Sequence, residues 1–221
     1  MIRKIILGLG MLAMSSIANA SLIISETLIT GADMAGMEVT VTFGDDSTES
    51  MIWQVIADNN GVSIQDAEGR VGGATATTWS LQQQGYTLGG VDNGIFYGLW
   101  TFVNNNALGV KSLSINGLMA GAASIVFDSL DDAPYFPGSG GGQAFVTMFP
   151  GATGVYGNQV DANFPDLFYS LTINFANTVQ VGETVTFFAD TDALAVSEPG
   201  VLALMLMGLG LAARRKVRVL K

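Results

Sequence analysis

The chain of 221 residues contains no cysteine and no histidine. Without cysteine there are no disulfides. Without either residue, Ser-His-Asp and Cys-His catalysis are excluded, and the usual zinc, copper and haem ligands other than carboxylates are missing. Basic residues are scarce too, with nine Lys and Arg against nineteen Asp and Glu. Only Arg70 and Lys111 fall between residues 21 and 196, whereas every acid except Glu198 does, so that segment carries a formal charge of −16. Such a surface repels phosphate backbones and anionic lipid heads, which argues against nucleic acid as a partner. It suits a soluble extracellular protein that binds cations or resists self-association.

The remaining bases sit at the two ends. Arg3 and Lys4 precede the apolar stretch Ile5 to Met14, and Ala18-Asn19-Ala20 follows. This order of charge, apolar run and small-x-small site predicts a signal helix over residues 1–20, cleaved after Ala20 by signal peptidase at a site set by Ala18 and Ala20. At the other end, Ser197-Glu198-Pro199-Gly200 leads into the apolar run Val201 to Ala213, and Arg214, Arg215, Lys216 and Arg218 follow. A full span needs about 20 apolar residues, whereas this run, as a helix, crosses about 20 Å. Snorkelling Lys and Arg side chains extend that reach. The basic cluster predicts a stop-transfer signal with a cytoplasmic C-terminus.

The tail, residues 197–221, resembles the PEP-CTERM sorting signal of Gram-negative bacteria. Glu198 and Pro199 match its motif, Ser197 stands where the first Pro is expected, and the short helix and basic cluster follow in order. The resemblance implies passage through the inner membrane, recognition of the tail by an exosortase, tail removal, and release outside the cell. It further implies a component of the exopolysaccharide or biofilm matrix, with extracellular polysaccharide as a partner.

Residues 21–196 suit one domain with a sizeable core. Met37, Val39, Val41 and Phe43 alternate with Glu38, Thr40 and Thr42, the pattern of a strand with one wet face. Further strands are predicted at Met51–Ala57, Ile95–Val103, Leu113–Ile115, Ser124–Phe127 and Ala144–Phe149. Phe168–Phe175 and Thr184–Ala189 are expected to close a hairpin. Gly and Asn clusters at Asp58–Gly61, Gly89–Gly94 and Asn104–Asn106 predict turns. The expected architecture is all-β, a single β-sandwich or jelly-roll-like domain, flanked by the signal helix and the tail helix. Asp131–Gln143 and Pro150–Pro165 are expected as long connections.

Three chemistries are open to a domain of this composition. Calcium is the candidate cofactor, because carboxylate and carbonyl oxygens suit a hard cation. Its candidate ligands are Asp190 with Asp192 and Asp131 with Asp132, followed by Asp45 with Asp46 and the Asp92-Asn93-Gly94 run; none has the spacing of an EF-hand loop, and solvated loop acids are the competing explanation. A calcium-dependent carbohydrate-binding module would stack sugars on tryptophan; Trp53 and Trp100 read as core, and Trp79, flanked by Thr77, Thr78 and Ser80, as the exposed one. A glycoside hydrolase needs only two carboxylates, but nothing local selects a pair. Gly138–Gly142 is no phosphate cradle, because no Lys-Ser or Lys-Thr follows it. The expectation is therefore a non-catalytic matrix or surface protein.

Overall fold

The computed structural model describes residues 22–26, 28–58, 69–88, 90–92, 95–118, 123–130 and 143–196. In chain order its first eight strands are β1 (Leu22–Glu26), β2 (Glu38–Phe43), β3 (Thr48–Ile52), β4 (Gln54–Asp58), β5 (Arg70–Thr75), β6 (Trp79–Gln84), β7 (Gly90–Asp92) and β8 (Ile95–Tyr97). The others are β9 (Trp100–Asn104), β10 (Val110–Asn116), β11 (Ala123–Asp128), β12 (Val146–Thr147), β13 (Ala152–Asp161), β14 (Phe164–Val179), β15 (Thr184–Phe188) and β16 (Thr191–Val196). One 3-10 turn, Gly31–Met34, interrupts them, and no α-helix occurs among the described residues. The signal helix, the sorting tail and most of the Asp131–Gln143 connection lie outside those residues.

The strands form two large sheets and one two-stranded hairpin, β7 with β8. The first sheet runs β1-β16-β11-β14-β10-β2-β3, and β13 also pairs with β14. The second runs β12-β15-β9-β6-β5-β4. Neighbouring strands pair antiparallel, as β10 does with β14 and β2, and β9 with β6 and β15. Val39, Val41, Leu113, Ile115, Leu171 and Ile173 of the first sheet share one buried cluster with Leu81, Phe102, Val185 and Phe187 of the second. The arrangement is that of a β-sandwich, with period-two alternation supplying each sheet's inner face. It occupies the unit Ile24–Leu194; of the second unit, Met1–Ile23 with Ala195–Lys221, the described residues are 22, 23, 195 and 196.

The outer face of the first sheet follows from the same alternation and register. Thr48, Thr42, Ser112, Asn174 and Thr153 align across β3, β2, β10, β14 and β13. Beside them run Ser50, Thr40, Ser114, Thr172 and Val155, then Ile52, Glu38, Asn116, Ser170 and Gly157. Hydroxyls bond across this face, Thr40 to Ser50 at 2.7 Å and Ser114 to Thr172 at 3.1 Å.

Several expectations need correction. β14 and β15 do not form a hairpin: β14 pairs with β10, β11 and β13, while β15 joins the opposite sheet beside β9 and β12. Alternation shows that each segment is a strand but carries no information on which neighbour it takes. Met51–Ala57 is two strands in different sheets. The chain changes sheet at Trp53, whose ring is fully buried while Ile52 and Gln54 are exposed. Ile95–Val103 breaks at Gly98, which has a positive φ of 75°. Gly89–Gly94 is not one turn, because Gly90–Asp92 is a strand. Pro150–Pro165 is not a long connection, since it contains the ten-residue β13. Of Ala144–Phe149 only Val146–Thr147 is a strand.

β5 and β6 lack a strand signature in the sequence, because Arg70–Thr75 carries Gly72-Gly73 and Trp79–Gln84 ends in three glutamines. The packing explains Gly72. A Cβ there would strike the Gly31 carbonyl oxygen and the Trp53 ring nitrogen, while the Trp53 Nε1 donates to that carbonyl at 2.8 Å. Replacing Gly72 by Ala therefore requires backbone movement at the sheet crossing. The expected loss is about 1–3 kcal/mol, read as a lower urea midpoint for the full-length chain; an unchanged midpoint would contradict this packing.

Candidate functional site

The acids expected to be solvated divide sharply. Asp45 accepts from the Ser47 amide at 3.0 Å and the Ser47 hydroxyl at 2.6 Å. These bonds hold its carboxyl below the usual range. Asp46 meets Lys111 at 2.6 Å, and Arg70 meets Asp33 at 2.6 Å and Asp58 at 3.0 Å. Both bases of the domain are thereby engaged at its surface.

Asp128, Asp190 and Asp192 are instead buried, with exposures of 1%, 2% and 4%. Their positions follow from strand ends. Asp128 closes β11 and lies opposite Leu167 of β14. The Asp128 amide donates to the Asp190 carbonyl at 3.3 Å, and the Ser129 amide to the Asp166 carbonyl at 3.0 Å. Asp190 immediately precedes β16, and Asp192 is its second residue. Alternation along β11 sends Ile125 and Phe127 into the main core, while Val126 joins Leu167 and Leu194 in a smaller apolar cluster. Asp128 and Asp192 share the parity of Val126 and Leu194, so they fall on the side of that smaller cluster.

Polar partners surround Asp190. Its Oδ1 lies 3.0 Å from the Thr87 hydroxyl. That hydroxyl accepts from the Thr191 amide at 3.2 Å and lies 2.9 Å from the Thr191 hydroxyl. Asp128 Oδ1 accepts from the Leu130 amide at 2.9 Å.

Burial raises the Asp190 carboxyl well above its ordinary value, and the neighbouring Asp192 and Asp128 charges add to this. Asp192 is pushed up to about 7, first by burial and then by Asp128 and Asp166. Low dielectric and like charge both disfavour the ionised form. Both effects favour the protonated form of Asp190, and Asp192 is poised to exchange a proton near pH 7. The three carboxyls are held inside the fold rather than at its surface.

The structure therefore brings Asp190 and Asp192 together, but in and beside a strand rather than in a solvated loop. Among the described residues no group of three or more acidic side chains is arranged to hold a metal ion. Asp131 and Asp132, the sorting residues Ser197–Gly200, the basic cluster Arg214–Arg218 and the cleavage residues Ala18 and Ala20 lie outside the described residues. The tryptophan platform needs a correction: Trp79 is 1% exposed and is as much core as Trp53 and Trp100. Its neighbours are polar because its strand has a wet side, whereas its ring packs on Phe102 and its Nε1 donates to Glu49 at 2.8 Å. Sequence reasoning missed Asp128 and Asp166. Asp128 ends β11 and Asp166 is the third residue of β14, and nothing local shows that the sheet order brings them beside Asp192. Comparison with family models, curated proteins and solved structures found no match.

The raised carboxyl of Asp192 has a defined sign. Between its unfolded value near 3.8 and its folded value of about 7, the native state binds the extra proton. Its contribution to stability is present below pH 3.8 and is lost as pH rises through about 7. Urea midpoints of the full-length chain should fall between pH 5 and pH 8.5. The Asp192→Asn variant should flatten that dependence by about 2–3 kcal/mol at most over this pH window. A wild-type chain equally stable at both pH values would refute the buried titration.

Proposed function

We propose that this chain is an exported exosortase substrate whose β-rich domain, jelly-roll-like in its finer topology, serves as a non-catalytic component of an exopolysaccharide or biofilm matrix. The tail carries the reading: Glu198-Pro199, then the apolar run Val201–Ala213, then Arg214, Arg215, Lys216 and Arg218. In this reading signal peptidase cuts after Ala20 and the tail halts in the inner membrane. Exosortase then recognises Ser197–Gly200 and releases the domain.

Three features support it. β16 ends at Val196, so removing the tail from Ser197 onward takes no described strand from the fold. The −16 charge keeps released copies soluble and repels membrane surfaces. A cysteine-free core built on three buried tryptophans needs no oxidative folding outside the cell. The calcium-dependent carbohydrate-binding alternative loses its tryptophan platform to burial, and for the glycosidase alternative no local signature selects two carboxylates.

Intact mass and location in a Gram-negative host, with and without exosortase, test the proposal. The expected product lacks residues near both ends and appears outside the cell only with exosortase. A full-length C-terminus that stays in the membrane in both strains would make the tail a permanent anchor. Replacing Arg214, Arg215, Lys216 and Arg218 by Asp should disturb retention, and unchanged processing would count against the stop-transfer role.

A further inference from the structure

β16, the last described strand, is held by little apolar surface. Only Ala193 of β16 joins the main core, and Leu194 joins the small cluster with Val126 and Leu167. The strand also buries Thr191 and Asp192, which are polar. A fully buried Leu contributes about 1.5–3 kcal/mol, and segments with few buried apolar contacts open at the low end of a fold's stability. The strand also has a small dependency. In the sheet order its departure frees only β1, an edge strand with no other neighbour there. Just upstream, the Trp100 Nε1 holds the Ala189 carbonyl at 3.0 Å, which puts a fixed point immediately before Asp190.

The charges around this strand are of one sign. Asp128 of β11 stands near both Asp190 and Asp192, and Asp166 of β14 stands near Asp192. Tyr169 of β14 packs on the Leu194 cluster, and Tyr86 directly precedes Thr87. The 3-10 turn meets the strand through Met34, whose sulfur lies 3.8 Å from the Thr191 hydroxyl, while Asp33 beside it is held by Arg70. β1 carries Glu26 as its one titratable residue. The only other base of residues 21–196, Lys111, is held by Asp46.

We infer that β16 is a pH-sensitive latch: as its buried carboxyls lose their protons, the strand detaches together with β1 while the rest of the sandwich stays folded. Closed, the carboxyls are neutral, and Asp190 keeps its bond to the Thr87 hydroxyl. Ionised, they repel one another and Asp128 in a region of low dielectric, with no Lys or Arg to pair with. Once the strand is open, water hydrates the same charges. The closed form binds the extra proton of Asp192, so acid favours it, and it weakens as pH rises through about 7.

The latch meets the tail at Val196. Ser197–Gly200 separates β16 from the apolar run that starts at Val201, a reach of at most about 14 Å. Freeing the six residues of β16 raises that reach to about 35 Å. A longer leash would present the sorting motif further from the fold, a use that rests on the exosortase reading; the opening itself does not.

Hydrogen exchange of the full-length chain in a nonionic detergent, read by mass spectrometry and corrected for intrinsic amide rates, tests the latch at pH 6 and pH 8.5. Peptides within 190–196 should be at least about tenfold less protected than peptides of β9 and β10 at both pH values, because they open without the rest of the fold. Their protection should fall about tenfold from pH 6 to pH 8.5, the factor expected for a carboxyl of ordinary value 3.8 that the closed strand raises to about 7. The double variant Asp190→Asn, Asp192→Asn keeps both side chains neutral and should hold its protection across the same range, with an unchanged circular dichroism spectrum. Equal protection of β16 and β9 would overturn the latch, since the strand would then open only with the whole fold. So would protection in the parent that is independent of pH, or a pH-dependent loss that persists in the folded double variant. The two readings on the parent decide the inference even without the variant. Exosortase takes no part in the measurement, so its outcome is separate from that of the intact-mass test of export and tail removal.

Discussion

Trp100 links the two sheets. It rises from β9 in the second sheet and stacks on Phe187 at 5.5 Å. It also meets Trp53 at 5.3 Å and Phe127, from β11 of the first sheet, at 6.2 Å. Its Nε1 donates to the Ala189 carbonyl at 3.0 Å, so its one polar atom is satisfied inside the core. That bond fixes the backbone just before Asp190, where the chain leaves β15 in one sheet and enters β16 in the other. The same aromatic cluster thus fills the sandwich and sets the position of its most unusual group.

Burying carboxyls beside that crossing works against stability, because Asp190 and Asp192 cannot both ionise at low cost. The domain tolerates them by protonation and by the Thr87 and Thr191 hydrogen bonds rather than by ion pairs. With Arg70 held by Asp33 and Asp58, and Lys111 by Asp46, both bases are engaged elsewhere. Hydrogen bonds from neutral donors and a retained proton are the two means left to a chain this poor in bases.

The two faces of the first sheet show the opposite economy of charge. Its inner face is apolar and shared with the second sheet, and its outer face is hydroxyl-rich with a single carboxylate.

By itself the sequence determined that the domain is β-rich, without disulfides or histidine chemistry, and that the bases gather at the chain's ends. Alternation in residues such as Val39–Phe43 and Leu171–Phe175 reports which side of a strand is dry, because that is a local property of period two. It also determined that Trp53 and Trp100 belong to the core, since both sit in apolar runs. Only the tertiary structure decided that β15 leaves β14 for the opposite sheet, that Gly72 is a strand residue beneath the Gly31 carbonyl, and that Trp79 is core despite polar neighbours. It alone brought Asp128 and Asp166 up to Asp192, and joined hydroxyls from five strands into one face. Each of these depends on which strand lies beside which, and strand order is set by long-range packing that no local pattern encodes.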